Sequence, residues 1–383
     1  MALRTIVVAI DGASPLQVVL RDPVVKLRIV ELGDLDEEAQ QCELQQQELR
    51  ERREGFAFGD VLWRVSAFRR GPETFQLVLV LHHAIVDGWS FATLLAELWT
   101  EYQRPGSVPD QVSGPSYGVY VALERAAARS EAAAARWRSL LENAVFSGFP
   151  RDLSPELVLT PGEVAVKRFH LHALPAETTS LAQALARRLA VPNKSVFLAA
   201  WFKWLSLVSG RDDVVSGVVT HGRPELAAAE EQVGCFLNCV PLRMRLAPGS
   251  WQALILESAG LEGRVLPDRR FPLAEIERIT GQSPLYRAGF NFVQFHVLGG
   301  ARGEFEPLES REGNPDAAVE EPLWIEVSVV SDTEATLRVE YSPSVLSLRD
   351  AQAFAVGYAE VLSVLARSPQ EEHQRWCPAW VGP

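Results

Sequence analysis

Two adjacent histidines, His82 and His83, follow the apolar run at residues 77–81 and precede an Asp-Gly pair at Asp87 and Gly88. Imidazole has an unperturbed pKa of about 6.5, so it can accept or donate a proton near neutral pH. Successive side chains of a strand point to opposite faces, so one imidazole can face a site while the other packs behind it. The end of a buried strand would hold such a base within hydrogen-bond reach of a substrate.

For a single strand-end histidine, a structural role satisfied by backbone hydrogen bonds would be favoured, but the second histidine and the Asp-Gly pair favour a site. The sequence has no GxSxG elbow, and no nucleophilic serine or cysteine can be paired with the histidines. We therefore expect direct transfer between two bound substrates, without a covalent enzyme intermediate. Glycine-rich phosphate loops of the GxGxxG and GxxxxGK[ST] types are also missing, so we expect neither ATP nor a dinucleotide to bind.

Composition limits the classes of partner. The chain has 383 residues, 47% of them hydrophobic and 22% charged, which is typical of a soluble globular protein. Its net charge of −12 argues against nucleic acid, and no apolar stretch approaches the roughly 20 residues that span a bilayer. The four cysteines form no CxxC motif and no cluster with histidine, which predicts reduced thiols, no metal site and a cytoplasmic location.

Strand-like and helix-like patterns alternate in both halves of the chain, which predicts α/β layers. Strands are predicted at residues 5–10, 16–20, 61–68, 75–81, 164–172, 214–220, 289–296, 323–330 and 335–341, and helices at 34–53, 90–102, 130–143, 179–190, 195–208 and 347–366. We expect Asp11-Gly12 to turn a hairpin and Ser90 to cap the helix after Gly88. Prolines and glycines at 146–162 predict a linker that divides an N-terminal domain, 1–147, from a C-terminal domain, 148–383.

Several motifs resemble those of the condensation domains of nonribosomal peptide synthetases, in the chloramphenicol-acetyltransferase-like superfamily. Residues 82–88 match HHxxxDG, and the following Trp89-Ser90 is typical of condensation domains. Residues 234–243 are similar to GxFxNxxPLR, and residues 222–225 to the segment that follows a GxxxxGR strand. Residues 290–296 occupy the place of a central strand that lines the active-site tunnel in this family.

The resemblance implies an α/β fold of two chloramphenicol-acetyltransferase-like lobes, each a mixed sheet with flanking helices, arranged as a V-shaped pseudodimer. It also implies a peptide-bond-forming acyltransferase. Donor and acceptor peptidyl carrier proteins would present substrates on phosphopantetheine arms, and other synthetase modules would be further partners. No cofactor would bind directly.

The resemblance also assigns roles to individual residues. His83 would be the catalytic base or hydrogen-bond partner, and Asp87 would form a structural salt bridge with Arg223. The structural residues of the active site would be His82, Asp87, Gly88 and Arg223, and the tunnel or substrate residues would be Trp89, Ser90, Asn238 and Asn291.

The chain begins at a segment that resembles the family after its first strand and helix, so we expect an N-terminally shortened lobe. Three alternatives to amide formation follow: ester formation with a hydroxyl acceptor, epimerization of a carrier-bound aminoacyl group, and a degenerate domain that binds a partner without chemistry. Trp89-Ser90 and residues 222–225 favour condensation over epimerization. The presence of both histidines favours catalysis over a degenerate role.

Overall fold

The computed structural model describes residues 2–10, 13–25, 27–108, 114–145, 167–294 and 322–376. The chain divides into two compact units. The first contains the described parts of residues 1–120 together with Arg223–Phe236, and the second contains the described parts of 121–222, 237–296 and 316–383. The domain boundary predicted at 147/148 lies outside the described residues and stays a prediction.

The described part of the first unit contains two small sheets. Strands β1 (Thr5–Ile10) and β2 (Ala13–Val19) form an antiparallel hairpin, as predicted, although the Asp-Gly turn itself lies outside the described residues. Strand β4 (Trp63–Arg69) lies between β3 (Leu27–Glu31), which is parallel to it, and β5 (Phe75–Leu81), which is antiparallel. The histidine pair therefore follows an edge strand of a three-stranded sheet.

Helix α1 (Glu37–Glu54) lies against this three-stranded sheet. The Asp36 side chain caps it by accepting the N–H of Ala39 at 2.8 Å. Arg64 of β4 donates to Glu51 of α1 at 2.8 Å, in an ion pair whose two side chains are largely buried. The helix predicted at residues 34–53 is thereby confirmed.

The start of helix α2 (Gly88–Gln103) corrects the predicted cap. Asp87, not Ser90, is the N-cap: its Oδ1 accepts the N–H of Ser90 at 2.7 Å. Ser90 already lies inside the helix, three residues after the cap. A carboxylate at this position both satisfies a free backbone N–H and complements the positive end of the helix dipole, so the aspartate is the better cap. Helix α3 (Tyr117–Ala128), which the sequence patterns did not predict, follows later in the chain.

The second unit is built on one six-stranded mixed sheet. Its strands are β6 (Arg168–Ala173), β7 (Asp213–His221), β8 (Leu237–Arg245), β9 (Ala288–Val293), β10 (Leu323–Val329) and β11 (Ala335–Tyr341). Their order is β6-β11-β10-β9-β7-β8, and β9 runs parallel to both of its neighbours. The internal strand expected from residues 290–296 is therefore present up to Val293, while residues 295 and 296 lie outside the described residues.

The described helices of the second unit are α4 (Glu131–Leu141), α5 (Ala176–Leu189), α6 (Asn193–Ser209), α7 (Trp251–Val265), α8 (Leu273–Thr280) and α9 (Leu348–Arg367). Helix α6 is buried along most of its length, as its nearly continuous apolar sequence predicted.

Strand β8 was not predicted, and Pro241 within it explains why. Proline cannot donate to a strand ladder, but β8 lies at the edge of the sheet, where proline is tolerated. Among the described residues, no helix is long and apolar enough to cross a membrane.

Candidate functional site

His82 and His83 lie directly after β5, and both imidazoles are exposed. The backbone N–H of His82 donates to the carbonyl of Leu62 at 2.9 Å, which holds the segment after the strand has ended. The His82 ring turns back on its own loop, where Nδ1 accepts the N–H of Ala84 at 3.0 Å. Desolvation, and secondarily the charge of His83, lower the pKa of His82. His82 is therefore held as a neutral ring with its hydrogen on Nε2.

The His83 ring makes a different contact. Its Nδ1 lies 3.8 Å from Sγ of Cys235, a residue 152 positions further along the chain. This distance is within the range of a hydrogen bond to sulfur, whose radius exceeds that of oxygen. An exposed imidazole beside a defined partner can take up a proton from a substrate.

Asp87 is 2% exposed, and its carboxylate has three donors. Besides the N–H of Ser90, it accepts the N–H of Phe236 at 3.1 Å on Oδ2 and Nη2 of Arg223 at 3.2 Å on Oδ1. The ion pair expected between Asp87 and Arg223 is thus present. A buried carboxylate needs such a set of donors because burial without partners costs several kcal/mol.

Ser90 is fully buried and connects the same groups. Its Oγ donates to the carbonyl of Gly234 at 2.8 Å, and accepts Nη2 of Arg223 at 2.8 Å and the N–H of Gly234 at 3.1 Å. The N–H of Asp87 also donates to the carbonyl of Gly234 at 3.1 Å. The start of α2 and residues 234–236 are therefore tied together by buried hydrogen bonds.

Arg223 is 9% exposed, and its guanidinium has hydrogen-bond acceptors along its edge and an aromatic ring against its face. Nη1 donates to the carbonyls of Ala229 and Gln232 at 3.0 and 2.6 Å, and the guanidinium carbon lies 4.1 Å from the centre of the Phe236 ring. Desolvation lowers the pKa of Arg223, and Asp87 acts against that shift. Arg223 thus organises its own loop as well as the Asp87 carboxylate.

Trp89 and Gly88 occupy the first turn of α2. The indole N–H of Trp89 donates to the carbonyl of Glu230 at 2.9 Å, and Gly88 is exposed. The predicted residues His83, Asp87, Ser90 and Arg223 are therefore grouped with Trp89 in one part of the first unit.

Two residues that the sequence did not single out join this group. Tyr117 Oη donates to the carbonyl of Cys235 at 2.6 Å, and the Cys235 side chain faces His83. A Cβ on Gly234 would come within 2.7 Å of the Tyr117 ring, so the close approach of these segments requires glycine. The sequence did contain a signal for Cys235, because this residue occupies a variable position of the GxFxN motif. No sequence motif pointed to Tyr117.

Asn238 and Asn291 belong to the second unit. The Asn238 side chain donates to the carbonyls of Arg269 and Phe271 at 2.9 and 2.7 Å. Both amide hydrogens of Asn238 are therefore used to hold a loop, which leaves only its amide oxygen for a substrate. Asn291 of β9 donates to Glu326 of the neighbouring β10 at 2.8 Å. The tunnel and substrate roles of both asparagines stay predictions.

A search for metal ligands in the described part of the chain finds no group of three or more histidine, cysteine, aspartate or glutamate side chains placed to hold an ion.

Comparison with known proteins finds a matching family model and relatives that cover most of the chain. A family model described as "Condensation domain" matches residues 2–376. AMB antimetabolite synthetase AmbE of Pseudomonas aeruginosa is 32% identical over 320 residues, which are 80% of this chain and 14% of that protein. Chondramide synthase cmdD of Chondromyces crocatus is 29% identical over 370 residues, 93% of this chain and 9% of that protein. The chain thus spans only a small part of the length of these relatives.

Solved structures share the fold at low sequence identity. The condensation domain from Monacolin K polyketide synthase MokA superimposes with a TM-score of 0.79 at 18% identity, over 97% of this chain and 87% of that one. The first condensation domain of the calcium-dependent antibiotic synthetase, in complex with a substrate analogue, gives 0.74 at 20%, over 98% and 86%. The predicted α/β fold of sheets with flanking helices is confirmed.

Proposed function

The chain belongs to the condensation-domain family, and from this we propose that it joins a carrier-bound acyl or peptidyl thioester to a carrier-bound aminoacyl acceptor by forming an amide bond. The donor and acceptor would arrive on the phosphopantetheine arms of peptidyl carrier proteins. The two relatives are named as a synthetase and a synthase, and this chain matches a small part of each, so other synthetase modules are the proposed wider partners.

The position of His83 is the observation that carries the proposal. Its imidazole is exposed, while the residues around it are held by buried groups: Asp87 is 2% exposed and Ser90 is fully buried. The backbone that precedes His83 is also anchored, because the N–H of His82 donates to the carbonyl of Leu62. An accessible base on a rigid segment is what positioned proton transfer requires.

The chemical step needs orientation and one proton acceptor. The amine of the acceptor attacks the thioester carbonyl, the C–N bond forms, and the C–S bond breaks. His83 accepts the proton that the nitrogen loses and returns it to the departing thiolate, so that an amide and a free thiol result. Holding both substrates in line supplies much of the rate, because it converts an encounter in solution into an intramolecular step.

The first prediction concerns His83 itself. A donor carrier protein loaded with an acyl thioester and an acceptor carrier protein loaded with an aminoacyl thioester should yield amide product, followed by mass spectrometry. His83→Ala should lower the rate by about 10²- to 10⁴-fold, the usual contribution of a positioned acid or base. The melting temperature of the His83→Ala variant should stay unchanged, because the imidazole ring is exposed.

His172→Ala is the matched control, because this histidine lies on β6 in the other unit. Equal yields from wild type and His83→Ala would reject the catalytic role. A parallel reaction with a hydroxyacyl acceptor separates amide from ester formation. Carrier binding by the wild type without product in either reaction would instead identify a degenerate domain.

A further inference from the structure

The contact between Cys235 and His83 has no place in the roles assigned above. Cys235 Sγ lies 3.8 Å from Nδ1 of His83, and the cysteine is half-buried while the histidine is exposed. A base is commonly oriented by a third group that bonds to its other ring nitrogen. Cys235 stands in this relation to His83.

The backbone around Cys235 is fixed on both sides. Its own carbonyl accepts the Tyr117 hydroxyl, the preceding Gly234 exchanges hydrogen bonds with Ser90, and the N–H of the following Phe236 donates to Asp87. Phe236 is 1% exposed. The sulfur is therefore held in place by the same buried groups that hold the start of α2.

The catalytic role proposed for His83 decides which partner donates. A thiol can be either a weak donor or a weak acceptor, so the protonation of the ring sets the direction of the contact. A neutral imidazole that takes up a proton on Nε2 carries its hydrogen on Nδ1, the nitrogen that faces Sγ at 3.8 Å.

We propose that Cys235 is a positioning residue that accepts the Nδ1–H of His83 and so leaves Nε2 of that ring unprotonated. The catalytic consequence rests on the proposed function, because Nε2 is then the nitrogen that takes the proton of the attacking amine. His82 is held in the opposite tautomer, since its Nδ1 accepts the N–H of Ala84. The two neighbouring histidines are thus held in opposite tautomers by two different partners.

The tautomers are measurable without any substrate. Protein labelled with ¹⁵N in its histidines reports, by nitrogen chemical shift, which ring nitrogen carries hydrogen, and His83→Ala identifies the signals of residue 83. Cys235→Ala should shift the His83 tautomer ratio toward Nε2–H by about threefold to tenfold, the size of one hydrogen bond. Cys235→Ser, which keeps an acceptor at this position, should lie between wild type and Cys235→Ala.

Cys239→Ala is the control, because this half-buried cysteine lies on β8 in the second unit. An unchanged tautomer ratio in both Cys235 variants, with wild-type melting temperatures, would overturn the proposal. So would a change of the same size in Cys239→Ala.

Activity provides a second readout. In the amide-forming reaction, Cys235→Ala should lower kcat by about threefold to tenfold with little change in KM, since only proton transfer is affected. Cys235→Ser should recover part of that loss, which a merely structural defect would not allow. If His83→Ala kept full activity, the proposed function would fail while the tautomer measurement still tested the contact.

Discussion

Asp87 performs two tasks with one carboxylate. Oδ1 caps α2 through the N–H of Ser90 and meets Arg223, while Oδ2 accepts the N–H of Phe236. The four-residue spacing from His83 to Asp87 leaves room for a short loop between the strand end and the cap. The carboxylate thereby holds the chain that follows His83 from a buried position.

Removing this carboxylate should be costly. Asp87→Ala leaves the Arg223 guanidinium buried without its ionic partner, and breaking a buried pair in this way costs about 3 to 5 kcal/mol of unfolding free energy. Urea denaturation followed by circular dichroism measures the loss. The Ser90 and Phe236 N–H groups lose their acceptor in the same variant, which acts in the same direction.

Arg278→Ala is a suitable comparison, because Arg278 pairs with Glu275 on the exposed side of α8. That variant should lose less than about 1 kcal/mol. A loss of that small size in Asp87→Ala would contradict the structural role of the ion pair.

At the scale of elements, the packing of α9 against α6 depends on a glycine. Gly357 lies within α9, and a Cβ at this position would overlap the indole of Trp204 on α6. Trp204 also meets the Phe354 ring edge-on at 5.9 Å. The two helices therefore approach so closely that no side chain fits between the backbone of α9 and this indole.

Two glycine substitutions test this packing with opposite expected signs. Gly357→Ala should lower the free energy of unfolding by about 1 to 3 kcal/mol, because overpacking outweighs the better helix propensity of alanine. Gly263→Ala in α7 should raise it by up to about 1 kcal/mol, since nothing lies within 4 Å of the added Cβ. Denaturant melts of both variants give the comparison. If Gly357→Ala raised the free energy of unfolding, there would be room for a methyl group between α9 and the Trp204 indole, and the close packing of α6 and α9 would be refuted.

At the scale of the whole molecule, the hydrophobic core is unevenly distributed. The second unit holds one large cluster of buried side chains, with Phe197, Trp201 and Phe290 fully buried. The described part of the first unit has smaller clusters, one around Leu62 and Ile85 and another around Phe68. Regions with few buried apolar contacts open at a lower free energy than a dense core.

Hydrogen exchange should reveal this difference. Backbone amides of β9 and β10 should exchange at least about 100-fold more slowly than those of the β1–β2 hairpin, which is a two-stranded sheet with exposed apolar side chains. Mass spectrometry of peptides from each strand measures the rates. Equal protection in the hairpin and in β9 would mean that the first unit is stabilised by contacts beyond its small clusters.

Much of the local structure was determined by the sequence alone. Alternating and helical apolar patterns predicted strands such as β5 and β11 and helices such as α6 and α9, because periodicity acts over a few neighbouring residues. The HHxxxDG pattern located the histidine pair at a strand end and Asp87 in the loop after it. The resemblance also supplied Arg223 as the partner of Asp87, a pairing that no local pattern contains.

Only the tertiary structure decided how these groups are held. The three hydrogen bonds of Ser90 Oγ depend on residues 223–236 lying beside the start of α2. The orientation of His83 toward Cys235 joins positions 152 residues apart. Short-range propensities carry no information about which distant segment will supply a donor or an acceptor. That choice is made by packing and by the need to satisfy buried polar groups, which exist only once the chain has folded.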